Sequence, residues 1–387
     1  MLFDGYTVSG PATVHVRGDR IVRVDRTEAP PTDGDTSVID LGPDTTLMPG
    51  LIDSHVHLAF DAGPHPVASL IAMDDEDLLT HMRAAAQSAL QAGITTVRDL
   101  GDRNYLSLQL VREQADRPES GPEILAAGPP LTTPGGHCHF FGGEVEGTEA
   151  LREAVRERHA RGCAVVKVMA SGGTMTPDSV PPHASQYSRE DLRTVVDEAH
   201  RLGLPVAAHA HGAQAIEDAL EAGVDSLEHV TFLSPTGVDP VPGIIDAIAA
   251  SDTFASLSLG LSPKALVNPP KELALHRDKL QATNRELHQR GARVVLGSDA
   301  GIAPFKPHDV LPYAVIDLTG LGISPLDALK SVTSLAAQLC RMEGRKGHIT
   351  AGADADLLAV RGNPAEDPKA LLDVEAVFRA GVRVRGQ

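Results

Sequence analysis

The feature that most constrains this chain is a regular alternation. From residue 50 to about residue 343, short β-rich apolar runs are separated by longer stretches with helical periodicity. The runs span 51–57, 94–100, 123–127, 165–170, 205–210, 226–230, 254–259 and 293–299. Between the fourth and fifth, Leu192, Val195, Val196 and Ala199 recur at the spacing of one helix face. Ser188 with Asp191 reads as the start of that helix, and Gly203 as its stop. Strands that alternate with helices run parallel, because each return is a crossover. Eight such units in about 290 residues predict an α/β fold, a (β/α)8 TIM barrel rather than an open sheet.

The two ends have a different texture. Thr13-Val14-His15-Val16, Ile21-Val22-Arg23-Val24 and Ser37-Val38-Ile39-Asp40 read as short strands separated by Gly, Asp and Pro. Asp356-Leu357-Leu358-Ala359-Val360 and residues 374–384 read the same way. Neither end alone has enough strands for a stable sheet. The economical arrangement is one small β-sandwich domain, built from 1–49 plus 344–387, with a barrel of residues 50–343 inserted between them.

The formal charge of -18 argues against a nucleic-acid partner, because no basic surface is available to neutralise phosphates. No run approaches the roughly 18 apolar residues of a membrane span. Met1-Leu2-Phe3-Asp4-Gly5 lacks the basic-then-apolar pattern of a signal peptide. Cys138, Cys163 and Cys340 are too few and scattered for a disulfide framework, so a reduced, cytoplasmic protein is expected. A homo-oligomer stays open.

In a (β/α)8 barrel, reactive residues gather at the carboxyl ends of the strands. His55-Val56-His57 places two imidazoles on one face of the first strand, the arrangement that holds a metal between two nitrogens. His209-Ala210-His211 repeats the pattern on the fifth strand, and His229 closes the run Ser226-Leu227-Glu228. Asp299 ends the eighth run, where a carboxylate needs a charge partner or a metal. Lys167 shares a strand face with Val165 and Met169 and points into the barrel. Either it pairs with a buried acid or snorkels to the rim, or its amine has become a carbamate able to bridge two cations.

His55-x-His57, Lys167, His209, His229 and Asp299, in that order, resemble the binuclear amidohydrolase superfamily along essentially the whole chain. The resemblance implies one ion held by His55, His57, Lys167 carbamate and Asp299, and a second held by the carbamate, His209 and His229. Thr132-Thr133-Pro134-Gly135-Gly136-His137-Cys138-His139 and Ala170-Ser171-Gly172-Gly173 are similar to the imidazolonepropionase-like, metal-dependent prolidase and carboxypeptidase branch. In that branch the histidine matched by His137 reaches the substrate carbonyl. The position of His211 often carries a tyrosine with the same task, so His211 is a departure. His137-Cys138-His139 as a separate metal site lacks the spaced second pair of a structural zinc motif.

The ligand set implies two divalent ions, zinc by its imidazole and carboxylate donors, with manganese, cobalt or nickel as alternatives. A hydroxide shared by the ions would attack the carbonyl of a small-molecule amide, dipeptide or N-acyl amino acid. Asp299 would act as general base and acid, and His137 with His211 would stabilise the oxyanion. Cyclic amides, lactones and phosphotriesters suit the same site. A mononuclear deaminase fits less well, since Lys167 is present and residue 212 is Gly. A non-catalytic metal protein would close its site with thiolates. Selectivity is expected in loops 174–187 and 260–270. Arg98 and Arg103 suit either a substrate carboxylate or structural salt bridges.

Overall fold

A computed structural model describes residues 1–26, 37–176, 178–263 and 271–386. Eight parallel strands form the barrel wall: Leu51–Val56, Ile94–Asp99, Glu123–Ala126, Val166–Met169, Val206–Gly212, Ser226–Ser234, Phe254–Ser258 and Arg293–Gly297. The first three pair in order in one sheet and the last five in another. At the seams the sheets meet through single parallel bridges, Val56 with Ala300 and Leu131 with Val168. The Asp299 amide donates to His55 O at 2.7 Å across one seam, and the Leu131 amide to Lys167 O at 2.8 Å across the other. Ladder pairing is thus not continuous around the ring, and both seams lie beside residues of the candidate site.

The strands are buried on both faces, which is why they read as near-continuous apolar runs rather than alternating ones. Helices cover them. Arg189–Arg201 begins at a capping box in which the Ser188 and Asp191 side chains each satisfy the other's backbone amide. Its buried face carries Leu192, Val195, Val196 and Ala199, and Gly203 follows at φ +80, the left-handed stop that favours glycine.

A six-stranded sheet draws on both chain ends, in the order Val382–Arg385, Val374–Arg379, Leu357–Arg361, Thr45–Pro49, Leu2–Phe3, Val8–Ser9. The hairpin of Thr13–Arg17 with Arg20–Asp25 packs beside it. Leu2, Ile21, Ala355 and Leu357 are buried between the two, with Val14 and Val24 packed against them.

One strand expected at this end is absent. Residues 37–40 are irregular, and Val38 and Ile39 are exposed. The place beside Leu357–Arg361 is taken instead by Thr45–Pro49, in antiparallel register from Pro49 opposite Leu357 to Thr45 opposite Arg361. β-Branched residues without a free edge to pair with form no strand. Gly50 then turns the chain into the barrel, at a point where a Cβ would come within 2.2 Å of the Thr95 side chain. The three cysteines are free and buried. No helix among the described residues is long and apolar enough to cross a membrane.

Candidate metal centre

The first strand ends at Val56, so His57 lies just past it and His55 just before. His55 Nε2 and His57 Nε2 are 3.3 Å apart, and Asp299 Oδ1 lies 3.6 Å and 3.5 Å from them. The outer nitrogens fix the tautomers. His55 Nδ1 faces the Glu228 carboxylate at 2.9 Å and His57 Nδ1 faces Gly101 O at 3.5 Å, so each carries its proton outward. Both Nε2 lone pairs and a carboxylate oxygen then converge with no proton among them. That arrangement is repulsive by itself and suits a cation. Burial holds the His57 imidazole down to about 3, so protonation does not supply the charge.

A second group sits across the mouth. His209 Nε2 donates to Gly172 O at 3.0 Å, which turns its Nδ1 lone pair toward His229 Nε2, also 3.0 Å away. His229 Nδ1 lies 2.8 Å from Ser258 Oγ. Burial pushes both imidazoles well below their usual range, keeping them neutral. His211 stacks on His229 with ring centroids 4.7 Å apart, and its Nδ1 meets Thr231 Oγ1 at 2.8 Å. His55, His57 and Asp299 form one set whose donor atoms lie within 4.8 Å of one another; His209, His211 and His229 form another.

Lys167 is 1% exposed, and its Nζ has no hydrogen-bond partner. Neither a bonded acid nor the solvent rim therefore accounts for it. Desolvation brings its amine down to about 8, and its charge is felt by His55, His57, His209, His229 and Asp299 alike. Asp299 sits at φ +56, a backbone region costly for a residue with a Cβ and characteristic of functional sites. Its carboxyl lies below the ordinary value: burial acts to raise it, but the neighbouring His55, His57, Lys306 and Lys167 outweigh that.

The family model for the amidohydrolase family matches residues 46–384. This chain belongs to the amidohydrolase family. It is 30% identical over 361 residues to ochratoxinase from Aspergillus niger, covering 86% of this chain and 73% of the relative. Imidazolonepropionase from Streptomyces avermitilis is 24% identical over 411 residues, covering 97% and 87%. A crystal structure of a Xaa-Pro dipeptidase with methionine bound in its active site superimposes with a TM-score of 0.85 at 27% identity, covering 100% of this chain and 98% of that one. The protein is a hydrolase acting on carbon–nitrogen bonds.

His137 of this amidohydrolase stands beside the second group, its ring centroid 4.7 Å from that of His209. Nδ1 meets Thr176 Oγ1 at 3.3 Å, and Nε2 lies 3.4 Å from Cys138 Sγ. Gly173 makes room for it: a Cβ there would fall 2.4 Å from His137 Nε2. Among the described residues, no metal-type cluster includes His137 or His139. The later part of the 174–187 loop folds back on the segment that follows the fourth strand, with the Gly172 amide bonded to Ala184 O at 3.1 Å and the Gln186 amide to Ala170 O at 2.8 Å. Residue 177 of that loop and residues 264–270 of the other selectivity loop lie outside the described residues.

Neither arginine near the second strand is free for a substrate. Arg103 is bound to Asp75 at 2.9 Å and to Leu70 O at 2.8 Å. Arg98 lies inside the barrel, its Nη2 2.8 Å from Glu228 Oε1 and its Nε 2.6 Å from Ser54 O. Glu228 was absent from the expected site. It is fully buried, and its other oxygen orients His55. Burial acts to raise its carboxyl, but Arg98 and His55 carry it well below the usual range. The signal was present in the sequence: Val97-Arg98 and Leu227-Glu228 put opposite charges in the middle of two strands that are otherwise buried.

Proposed function

We propose that this amidohydrolase is a binuclear metal-dependent hydrolase of amide or peptide bonds in small molecules, dipeptides and N-acyl amino acids foremost. The observation that carries the reading is the pair of buried donor sets, His55, His57 and Asp299 in one and His209, His211 and His229 in the other, with the buried, unpartnered Lys167 ammonium in the same barrel. His55, His57 and Asp299 would hold one ion and His209 with His229 the other, and Lys167, as its carbamate, would join them. Zinc suits these imidazole and carboxylate donors. When bound, such a pair supplies Lewis-acid polarisation of the scissile carbonyl and water acidic enough to be deprotonated near neutrality.

The chain's own groups account for the remaining tasks. Asp299 Oδ accepts the proton of the attacking water and returns it to the leaving amine. Its strained backbone fixes that oxygen against His55 and His57 before substrate arrives. His211, accepting from the Thr231 hydroxyl at Nδ1, would present an Nε2–H to the developing oxyanion, in the place where relatives often carry tyrosine. His137, held by Thr176, would face the same carbonyl from the loop after the third strand. Similarity to a Xaa-Pro dipeptidase supports a dipeptide substrate; similarity to imidazolonepropionase makes a cyclic amide the second class to try.

Protein purified with zinc and bicarbonate should carry close to two equivalents of metal by elemental analysis. It should then be assayed on dipeptides, N-acyl amino acids, lactams and lactones. A firm value of one equivalent removes the binuclear reading, and turnover of lactones alone removes the amide assignment.

A further inference from the structure

Behind the Asp299 turn lies a second buried ammonium, which the proposed chemistry leaves unused. Lys306 is 4% exposed. Its Nζ donates to three backbone carbonyls, those of Ser298 at 2.7 Å, Leu259 at 2.9 Å and Ser258 at 3.1 Å. The three N–H bonds of an ammonium are all satisfied, and all by main chain. No carboxylate among the described residues pairs with it at ion-pair distance.

The position of those carbonyls gives the contact its meaning. Strands seven and eight run in register as far as Ser258 opposite Gly297. Lys306 takes over where the ladder stops and ties the two strand ends together. Ser258 is the residue whose hydroxyl meets His229 Nδ1. Ser298 is the residue before Asp299 and its φ of +56. The lysine is itself anchored to the same turn, its carbonyl accepting from the Gly301 amide at 2.7 Å. Packing alone would be served by an apolar side chain of the same length, without the cost of burying a charge. A cation among carbonyls instead fixes three backbone dipoles at once.

We propose that Lys306 is a positioning residue for hydrolysis, clamping the ends of strands seven and eight so that the Asp299 carboxylate and the His229 imidazole keep their aim. The inference rests on the metal-dependent reading of those two residues, so the wild-type protein is measured first. Wild type that neither takes up two ions nor cleaves any amide sinks that reading and says nothing against the clamp itself.

With active wild type in hand, Lys306→Met keeps the stem and removes the charge. A reacting group displaced by about 1 Å costs on the order of 10²-fold, so kcat should fall by that scale while KM moves less than about threefold. Both ions should stay bound, and the visible absorption of the cobalt-loaded variant should shift, since it reports ligand geometry. Lys306→Arg, which keeps charge and donors, should recover part of kcat. If Lys306→Met does not fold, Lys306→Gln carries the same test, with a donor but no charge. Unchanged kcat with an unshifted cobalt spectrum overturns the proposal. So does a loss of activity that merely follows the folded fraction seen by circular dichroism.

Discussion

Two clusters of buried charged and titratable side chains, one at each end of the barrel, are built in opposite ways. At the amino-terminal end of the barrel, Lys346 bonds Asp356, Asp354 at 3.2 Å and Glu123 at 3.0 Å. Arg379 pairs with Asp356 at 3.0 Å beside it. Each cation there has its carboxylates, and the cluster pins the small sheet to the third barrel strand. At the carboxyl end Lys167 has no partner, and five imidazoles crowd together uncharged. Both clusters hold side chains that are almost wholly buried, Lys346 and Asp356 in one and Lys167 and His55 in the other, and the residue types overlap. What differs is whether the charges are closed among themselves or await a group from outside.

The largest effect should come from the open cluster. Lys167→Ala is expected to reduce hydrolysis to background and to release at least one ion, without loss of fold, since no bonded partner is abandoned. Short carboxylates should restore part of the activity. Full activity in this variant would break the contrast at its centre. The closed cluster should respond the other way. Lys346→Met removes the ammonium that Asp356, Asp354 and Glu123 share, but Arg379 and Arg345 still pair with those carboxylates. It should therefore cost less than the about 3–5 kcal/mol of an uncompensated buried charge in denaturant unfolding, while the folded fraction keeps its kcat. An activity loss beyond the folded fraction would show that the two ends are coupled.

His137→Ala probes the edge of the open cluster. It should keep both ions and lose about 2.7–4 kcal/mol of transition-state stabilisation, on the order of 10²–10³-fold in kcat. His209→Ala should instead lose metal, and equal metal loss in both would return His137 to a structural role. Glu228→Gln tests the one place where the two designs meet, because Glu228 both neutralises Arg98 and orients His55. Metal affinity in chelator competition should fall about 10–100-fold, as for other carboxylates behind a ligating histidine, and stability should fall with it. The smallest effect belongs to neither cluster. Arg83→Ala removes the exposed pair with Glu113, which joins the helices Asp75–Gln91 and Leu106–Gln114 at 2.8 Å, and should cost only about 0.2–1 kcal/mol.

The closed and open clusters were unequally legible in the sequence. The open one could be read because its members end apolar runs: an imidazole or carboxylate after several buried residues, as at His57 or Asp299, has few bland explanations. Lys167 stood out for the same reason. The supporting groups were hidden because their partners are far apart in sequence. Arg98 and Glu228 are each unremarkable until two strands that are not neighbours in the ring meet across its interior. Lys306 sits in a loop and bonds only main chain, which leaves no side-chain pattern to find. The barrel strands were legible to within a few residues, since burial on both faces writes itself as an apolar run. Residues 37–40 misled because β-branched composition records a willingness to pair and carries no information on which edge is free. Thr45–Pro49 had the edge.

That edge ties the beginning of the chain to its far end. Thr45–Pro49 lies between Leu2–Phe3 and Leu357–Arg361, a pairing that spans ~300 residues and is among the slowest kinds of contact to form. During synthesis the opening strands therefore remain a half-built sheet, with one side bare, until the whole barrel has been made. The sheet behaves as a clasp that can fasten only last. A chain stopped before residue 357 would carry every residue of the candidate metal centre and still lack the strand that its first fifty residues need.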